Sequence, residues 1–145
     1  WKPEVGAIVS LSIPTGDRST TSNGVDPTGI FIFNWGLSSG LKLDVNFGFS
    51  GPTDGVGSNS RYFEFKPRIA LGSPLSNRLA IFIEYFGAII SERKPDAHSF
   101  GGGITYRIND DTHFGFSGGG GFSSAATDFF IEYGVSFRFR YWRGA

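Results

Sequence analysis

The stretch DFFIEYGVSFRF, residues 128–139, decides the fold class of this chain. Large side chains, mostly apolar, recur at every second position from Phe129 to Phe139, and the other face carries Asp128, Phe130, Glu132 and Arg138 among others. A period of two is the signature of a β-strand. The length suits a tilted membrane strand, because roughly 10 residues of about 3.3 Å each, inclined by about 40°, cross an apolar layer about 25 Å thick. The stretch therefore predicts a strand of a membrane β-barrel.

Seven earlier segments show the same alternation, and no helical period competes with it. The connections are long after the first, third and fifth segments and short after the second, fourth and sixth, an asymmetry typical of outer-membrane barrels. The sequence thus predicts an all-β, eight-stranded antiparallel up-and-down transmembrane β-barrel, one domain over residues 1–145. The predicted strands cover residues 5–13, 29–37, 41–49, 61–71, 78–90, 98–108, 112–122 and 128–139. A bulge is expected at Pro67, because proline cannot donate a ladder hydrogen bond.

Composition excludes several classes of protein. Thirteen basic and thirteen acidic residues cancel, so charge gives no reason to expect a nucleic-acid partner. The chain has no cysteine, which excludes thiolate metal sites and disulfides. It has no run of about 18 apolar residues, so no transmembrane helix is expected. No signal peptide precedes the first strand, so an exported protein would be a mature or truncated chain.

Alternation alone does not say which face meets the surroundings. In a soluble lipocalin-like lipid-binding barrel the apolar face would line the interior, whereas in a membrane barrel it would face lipid. The interior of an eight-stranded barrel is only just wide enough for side chains or one small ligand. The aromatic residues of the apolar face would overfill it, which favours the membrane arrangement. Residues predicted to face lipid or to form the interfacial aromatic girdle are Trp35, Phe47, Tyr106, Phe116, Phe137 and Phe139.

The opposite face is rich in glycine and serine and carries charges, so it fits a narrow interior. An unpaired charge in a confined lumen is costly, and pairing is therefore expected. Either a salt-bridge core plugs the barrel, or the charges form an ion-conducting constriction; with eight strands we favour the plug. The predicted lumen charge network comprises Lys42, Asp44, Glu64, Lys66, Arg68, Arg78, Glu84, Arg107, Glu132 and Arg138.

The sequence predicts no catalytic residues, no metal site and no cofactor. His98 and His113 lie near loops, and nothing fixes a nucleophile and an orienting group beside either of them. The glycine runs at residues 101–103 and 118–121 lack the Lys-Ser/Thr pair and the helix start of a phosphate-binding loop. We therefore expect a protein that is not an enzyme.

Five short pieces of the chain resemble a family of bacterial outer-membrane proteins assigned to transport in the meta-pathway of phenol degradation. The pieces are PTGD at residues 14–17, FIEYF at 82–86, GGITYR at 102–107, SSAATDFF at 123–130 and GVSFRF at 134–139. Family members are longer, with additional N-terminal strands. The resemblance thus implies that this chain corresponds to the C-terminal eight strands of a larger barrel, or to a reduced relative. Residues 140–145 follow the phenylalanine at which such barrels normally stop.

These observations predict a porin-like protein of the outer membrane of Gram-negative bacteria. Its expected partner is the lipid bilayer, with other membrane-protein subunits as candidate partners and no nucleic acid. Its role is either structural, as a scaffold, or narrow-pore transport through a charged lumen filled by side chains. The family resemblance favours a transporter of small hydrophobic compounds, and the soluble lipocalin-like barrel stays as a further alternative.

Overall fold

The computed structural model describes residues 2–17, 19, 21, 24–55, 60–91 and 95–139, so the closing residues 140–145 lie outside the described part. The described residues form one antiparallel sheet whose eight strands follow each other in sequence order. The strands are β1 Glu4–Ser12, β2 Asp26–Gly36, β3 Lys42–Ser50, β4 Glu64–Pro74, β5 Leu79–Ile90, β6 Ala97–Asn109, β7 Thr112–Gly121 and β8 Phe130–Phe137. Among these residues no helix is long and apolar enough to cross a membrane.

The prediction of eight antiparallel strands in up-and-down order is confirmed. The short connections, residues 37–41, 75–78 and 110–111, lie together at one end of the sheet, and we call this the short-turn end. Residues 13–25, 51–63, 91–96 and 122–129 connect the strands at the opposite, long-loop end. The predicted alternation of long and short connections therefore corresponds to the two ends of the sheet.

Closure of these eight strands into a barrel was expected, and the structure corrects this expectation. Each strand pairs with its neighbours in sequence, and β1 does not pair with β8. A physical reason lies on the face predicted to point inward, which carries Phe82, Phe86 and Phe130 in addition to the charged side chains. The interior of a closed eight-stranded barrel is just wide enough for side chains or one small ligand. Three phenylalanine rings beside several long charged chains exceed that space.

Two local expectations also differ from the structure. Strand β2 begins at Asp26, earlier than predicted, because the Asp26 carboxylate accepts hydrogen bonds from Thr53 N at 2.9 Å and Thr53 Oγ1 at 2.7 Å. The predicted bulge at Pro67 is absent. The β4–β5 ladder skips Lys66 and Pro67 and resumes at Arg68 in the same register. Proline removes a hydrogen bond there without displacing the strand.

The two faces of the sheet differ in curvature. One open hollow is lined both by β2 and by residues 125–127, which lie at the other side of the sheet next to β8. A single hollow can touch both sides only if the sheet curls around it. We call this face concave and the opposite face convex. The concave face carries the charged side chains of the strands and many of the glycines and serines, and the convex face carries most of the apolar residues.

No hydrophobic residue is buried anywhere in the described part of the chain. Apart from Gly48, the buried residues of the described part are polar or charged: Ser50, Thr53, Glu84 and Ser99. The convex face exposes large apolar side chains along every strand. The apolar-lined cup of a lipocalin-like protein is therefore not what these strands build. The sheet is sorted with polar groups in the concavity and apolar groups outside.

Glycines on the concave face of β6 and β7 make room for rings. A Cβ added at Gly119 would collide with the Phe100 carbonyl oxygen and would lie 2.6 Å from the Phe130 ring. A Cβ added at Gly103 would lie 2.8 Å from the Phe82 ring. The inward phenylalanine rings thus pack directly on the bare backbone of these strands. This close approach explains why strand positions carry glycine, which normally weakens a strand.

Gly119→Ala tests this packing, with Gly115→Ala as the matched control on the same strand and face. We expect Gly119→Ala to lower the free energy of unfolding by about 1–3 kcal/mol, because the added methyl meets backbone and ring atoms. At Gly115 nothing lies within 4 Å of the added Cβ, so its effect should be close to zero. Denaturant unfolding in lipid vesicles, followed by tryptophan fluorescence, measures both. Equal effects of the two substitutions would contradict the packing described here.

Candidate functional site

Two adjoining open hollows lie on the concave face of β2 to β6. The short-turn hollow has a volume of about 470 Å³ and is lined by Asn34, Lys42, Asp44, Phe82 and Glu84 among others. The long-loop hollow has a volume of about 460 Å³, and its lining includes Lys66, Arg68, Phe86, Ala97 and Thr127. Asn46 and Arg68 line both. These hollows form the candidate site, because they are the concave surfaces at which polar side chains converge.

A carboxylate and a guanidinium form the central pair of this surface. Glu84 on β5 accepts hydrogen bonds from Arg68 on β4, through Nε at 2.8 Å and through Nη2. The side chain of Glu84 is only 5% exposed, whereas that of Arg68 is 53% exposed. The guanidinium also lies over the Phe86 ring, with its carbon 5.9 Å from the ring centroid. The acid is therefore held in the wall while the base projects into the hollow.

A second ion pair, whose cation lies two residues before Arg68 on β4, has the same arrangement. Lys66 Nζ lies 2.6 Å from Glu64 Oε2, and the same oxygen accepts a hydrogen bond from Ser50 Oγ at 2.9 Å. The side-chain exposures are 49% for Lys66 and 13% for Glu64. Alternate positions on β4 place both cations on the concave face. The two cations, Lys66 and Arg68, line the long-loop hollow.

Three more of the predicted lumen charges also lie on the concave face. With its amide oriented to satisfy its neighbours, Asn34 donates a hydrogen bond to Asp44 Oδ1 at 2.8 Å. Lys42 is exposed at the mouth of the short-turn hollow. Glu132 lies on the last strand, where Ser117 Oγ is 3.4 Å from its Oε2. Asp44 and Lys42 thus belong to the hollow, and Glu132 lies near the open edge of the sheet.

The remaining three predicted lumen residues lie at the short-turn end instead. Arg138 follows β8 and donates from Nε to Asp111 at 3.0 Å. Arg107 lies 3.9 Å from Asp110 and also donates to a backbone carbonyl of the β4–β5 turn. Arg78 is exposed in that turn, just before β5 begins. The carboxylates of the β6–β7 turn bind the first two arginines, so none of the three reaches the hollows.

The sequence pattern placed Phe130 on the same face as Glu132, but sequence reasoning overlooked Phe82 and Phe86 as inward aromatic residues. Phe86 and Phe130 meet edge to face with their centroids 5.6 Å apart, although they belong to β5 and β8. On β5, Phe86 lies two residues after Glu84, so the same counting by twos places it inward as well. The concave face is consequently both charged and aromatic.

The segment after β7 covers the long-loop hollow. Residues 125–127 line the hollow, and Ala126 packs on Gly121. Backbone hydrogen bonds hold the segment: Gly121 N donates to Thr127 O at 2.8 Å, and Ala126 N donates to Ser123 O at 3.1 Å. Ser123 Oγ accepts a further bond from His98 N at 2.8 Å. Hydrogen bonds at both of its ends therefore hold this lining segment in place.

Phe47, Phe116 and the other residues predicted to face lipid lie on the convex side of the strands, and Phe139 follows β8. All six are at least partly exposed. Rings on neighbouring strands contact each other there, as Phe47 and Phe65 do at a centroid distance of 6.1 Å. Nearer the long-loop end, Tyr85 Oη and His98 Nδ1 are 2.8 Å apart. The convex face is thus a continuous apolar surface with a polar contact towards one rim.

The PTGD turn after β1 is held by its aspartate. Asp17 Oδ1 accepts hydrogen bonds from Ser19 N at 2.8 Å and from Ser19 Oγ at 2.7 Å. These bonds favour the ionised carboxylate and lower the pKa of Asp17 below its ordinary value of 3.8. The described residues contain no cluster of three or more side chains that could hold a metal ion.

The family of the chain follows from comparison with known proteins. Residues 1–139 match the family model described as "Putative MetA-pathway of phenol degradation". The chain belongs to this family. Comparison with curated proteins and with solved structures finds no significant match. The description of the family links it by name with phenol degradation.

Removal of either partner of the Arg68–Glu84 pair should have unequal costs. Arg68→Ala leaves a buried carboxylate without its cation, which costs about 3–5 kcal/mol of unfolding free energy. Glu84→Ala leaves a half-exposed guanidinium that water can reach, and we expect about 1–2 kcal/mol. The double variant Arg68→Gln/Glu84→Gln should recover most of the larger loss. Denaturant unfolding of all variants in vesicles measures the difference, and equal costs for the two single variants would refute the burial asymmetry.

Proposed function

We propose that this chain forms part of the wall of a β-barrel in the bacterial outer membrane, and that the barrel passes small, largely hydrophobic compounds. The observation that carries the proposal is the absence of any buried hydrophobic residue in the described part of the chain, together with the apolar convex face. Soluble monomeric proteins rarely expose a contiguous apolar patch of more than a few hundred Å². Hydrocarbon chains of lipid are the surroundings that such a face requires.

The backbone arrangement agrees with a membrane environment. Within the sheet every strand between β1 and β8 has partners on both sides, so most of its N–H and C=O groups are satisfied without water. Antiparallel strands with short turns at one end and longer loops at the other are typical of outer-membrane barrels. Aromatic side chains such as Trp35, Tyr106 and Phe137 lie towards the short-turn end, as interfacial girdles do.

The free edges of β1 and β8 support a barrel with more than these eight strands. An unpaired strand edge cannot face hydrocarbon, because its backbone groups would lack hydrogen-bond partners. Further antiparallel strands on both edges would close the wall and enlarge the lumen. A wider lumen also accommodates Phe82, Phe86 and Phe130 on the concave face. The eight strands are then consecutive strands of a larger barrel.

Passage of small solutes is favoured over a plug by the concave surface. Its side chains leave two hollows of about 470 and 460 Å³ unfilled. Each ion pair joins residues of the same strand or of adjacent strands, so neither pair crosses the space. Membership of a family connected with phenol degradation is consistent with uptake of small aromatic or hydrophobic compounds.

Ile83→Arg tests whether the convex face meets lipid. Ile83 lies in the middle of β5 and is 60% exposed, so in water the substitution would cost almost nothing. In a bilayer an arginine near the midplane costs about 2–4 kcal/mol, and near the interface about 0–1 kcal/mol. Phe137→Arg, at the end of β8 and 64% exposed, is the matched control. Unfolding in vesicles should show the loss for Ile83→Arg alone, and two neutral substitutions would argue against lipid contact.

Vesicle swelling tests passage. Vesicles that contain the protein should swell in an isosmotic solution of a small sugar such as arabinose, because solute and water enter through the barrel. They should not swell in an isosmotic solution of a tetrasaccharide, which exceeds the lumen. Light scattering gives the rate, with protein-free vesicles as the control. Protein that inserts but leaves the rate unchanged would indicate a structural role.

A further inference from the structure

The two ion pairs of the concave face present their positive ends to the long-loop hollow. Both carboxylates are covered, at 5% and 13% side-chain exposure for Glu84 and Glu64. Both cations are about half exposed, at 53% for Arg68 and 49% for Lys66. A solute in the hollow therefore meets ammonium and guanidinium groups, although each pair is neutral overall. This surface complements a negative charge.

Arg68 retains unused donors. Its Nε and Nη2 atoms both donate to the same oxygen, Glu84 Oε2. Among the described residues no acceptor binds Nη1, so two N–H groups of the guanidinium are available. A guanidinium fixed on one side by a buried carboxylate loses little entropy when it binds a second acceptor. Lys66 lies two residues before Arg68 on β4 and on the same face. Its Nζ can supply another donor to the same anion.

Next to these donors lies an apolar and aromatic surface. Phe86 packs under the Arg68 guanidinium, and its ring meets that of Phe130 edge to face at 5.6 Å. Ala88 and Ala97, paired across β5 and β6, extend the surface with small side chains. Rings held in this way accept a flat apolar body at little conformational cost. The donors and the rings are adjacent, so one molecule can contact both.

We infer that the long-loop hollow binds a small anion with a flat apolar body, of which an aromatic carboxylate is the simplest example. The carboxylate would bind Arg68 and Lys66, and the ring would lie against Phe86, which Phe130 supports from behind, beside residues 125–127. The volume of about 460 Å³ falls within the roughly 300–1,000 Å³ of small-molecule sites. The inference rests on the proposed function, since it makes the hollow a selective step in passage. A cation of the same shape would meet two positive groups with their counter-charges covered.

Binding of three matched probes tests the inference. The full chain in lipid vesicles is titrated with 4-fluorobenzoate, 4-fluorobenzyl alcohol and 4-fluorobenzylammonium, and ¹⁹F NMR line broadening reports the bound fraction. We expect 4-fluorobenzoate to bind roughly tenfold more tightly than the alcohol, as one charge-assisted hydrogen bond would produce. The ammonium probe should bind more weakly than the alcohol. Equal binding of the three probes, or tighter binding of the ammonium probe, would overturn the inference.

Variants locate the site. Arg68→Gln/Glu84→Gln replaces the pair by neutral amides and should abolish the roughly tenfold preference for 4-fluorobenzoate. Lys66→Gln should reduce it several-fold, and it carries the test if the double variant fails to fold, because Glu64 keeps its bond from Ser50. Arg138→Gln removes a similar cation at the short-turn end and should change nothing. A preference that survives in both the double variant and Lys66→Gln would overturn the assignment.

Vesicle swelling separates this inference from the proposed function. Protein that swells vesicles in arabinose but binds the three probes equally contradicts the anion site alone. Protein that prefers 4-fluorobenzoate but leaves swelling unchanged contradicts passage alone, and the site then serves binding without transport.

Discussion

Every feature of this protein depends on the sorting of side chains between the two faces of one sheet. Successive residues of a strand point to opposite faces, so an alternating sequence produces one apolar and one polar surface without any further instruction. The apolar surface here is on the convex side, and no hydrophobic residue is buried in the described part of the chain. A protein built in this way lacks the interior that usually stabilises a domain. Its backbone ladder and its surroundings must supply that stability.

The concave surface combines aromatic rings packed on glycine backbone with ion pairs, and different residues make each of them. Glycine on β6 and β7 lets the sheet curl and brings Phe82 and Phe130 down onto bare backbone. Charged residues on β4 and β5 lie in pairs, with the acid covered and the base exposed. A buried carboxylate needs a close cation and hydrogen bonds, and Glu84 obtains both from Arg68. The same geometry leaves cationic donors beside aromatic rings, where a solute can reach them.

Sequence reasoning was accurate wherever the period of two was the whole argument. It gave the number of strands, their antiparallel order and the division into short turns and long loops. It was wrong at Pro67, because a missing ladder hydrogen bond need not shift the register. It also treated all of the charges on one face as neighbours. Arg107 and Arg138 lie near strand ends, beside Asp110 and Asp111. Arg78 is exposed in a turn, and none of the three lines the hollows.

The sequence by itself determined which residues share a face, since alternation is a local property of an extended chain. Only the tertiary structure decided whether the sheet closes, because closure depends on curvature and on the volume of side chains such as Phe86 and Phe130 gathered from distant strands. Only the tertiary structure decided which end of each ion pair is exposed. Burial depends on what the neighbouring strands place around Glu84 and Arg68, and no pattern within one strand contains that information.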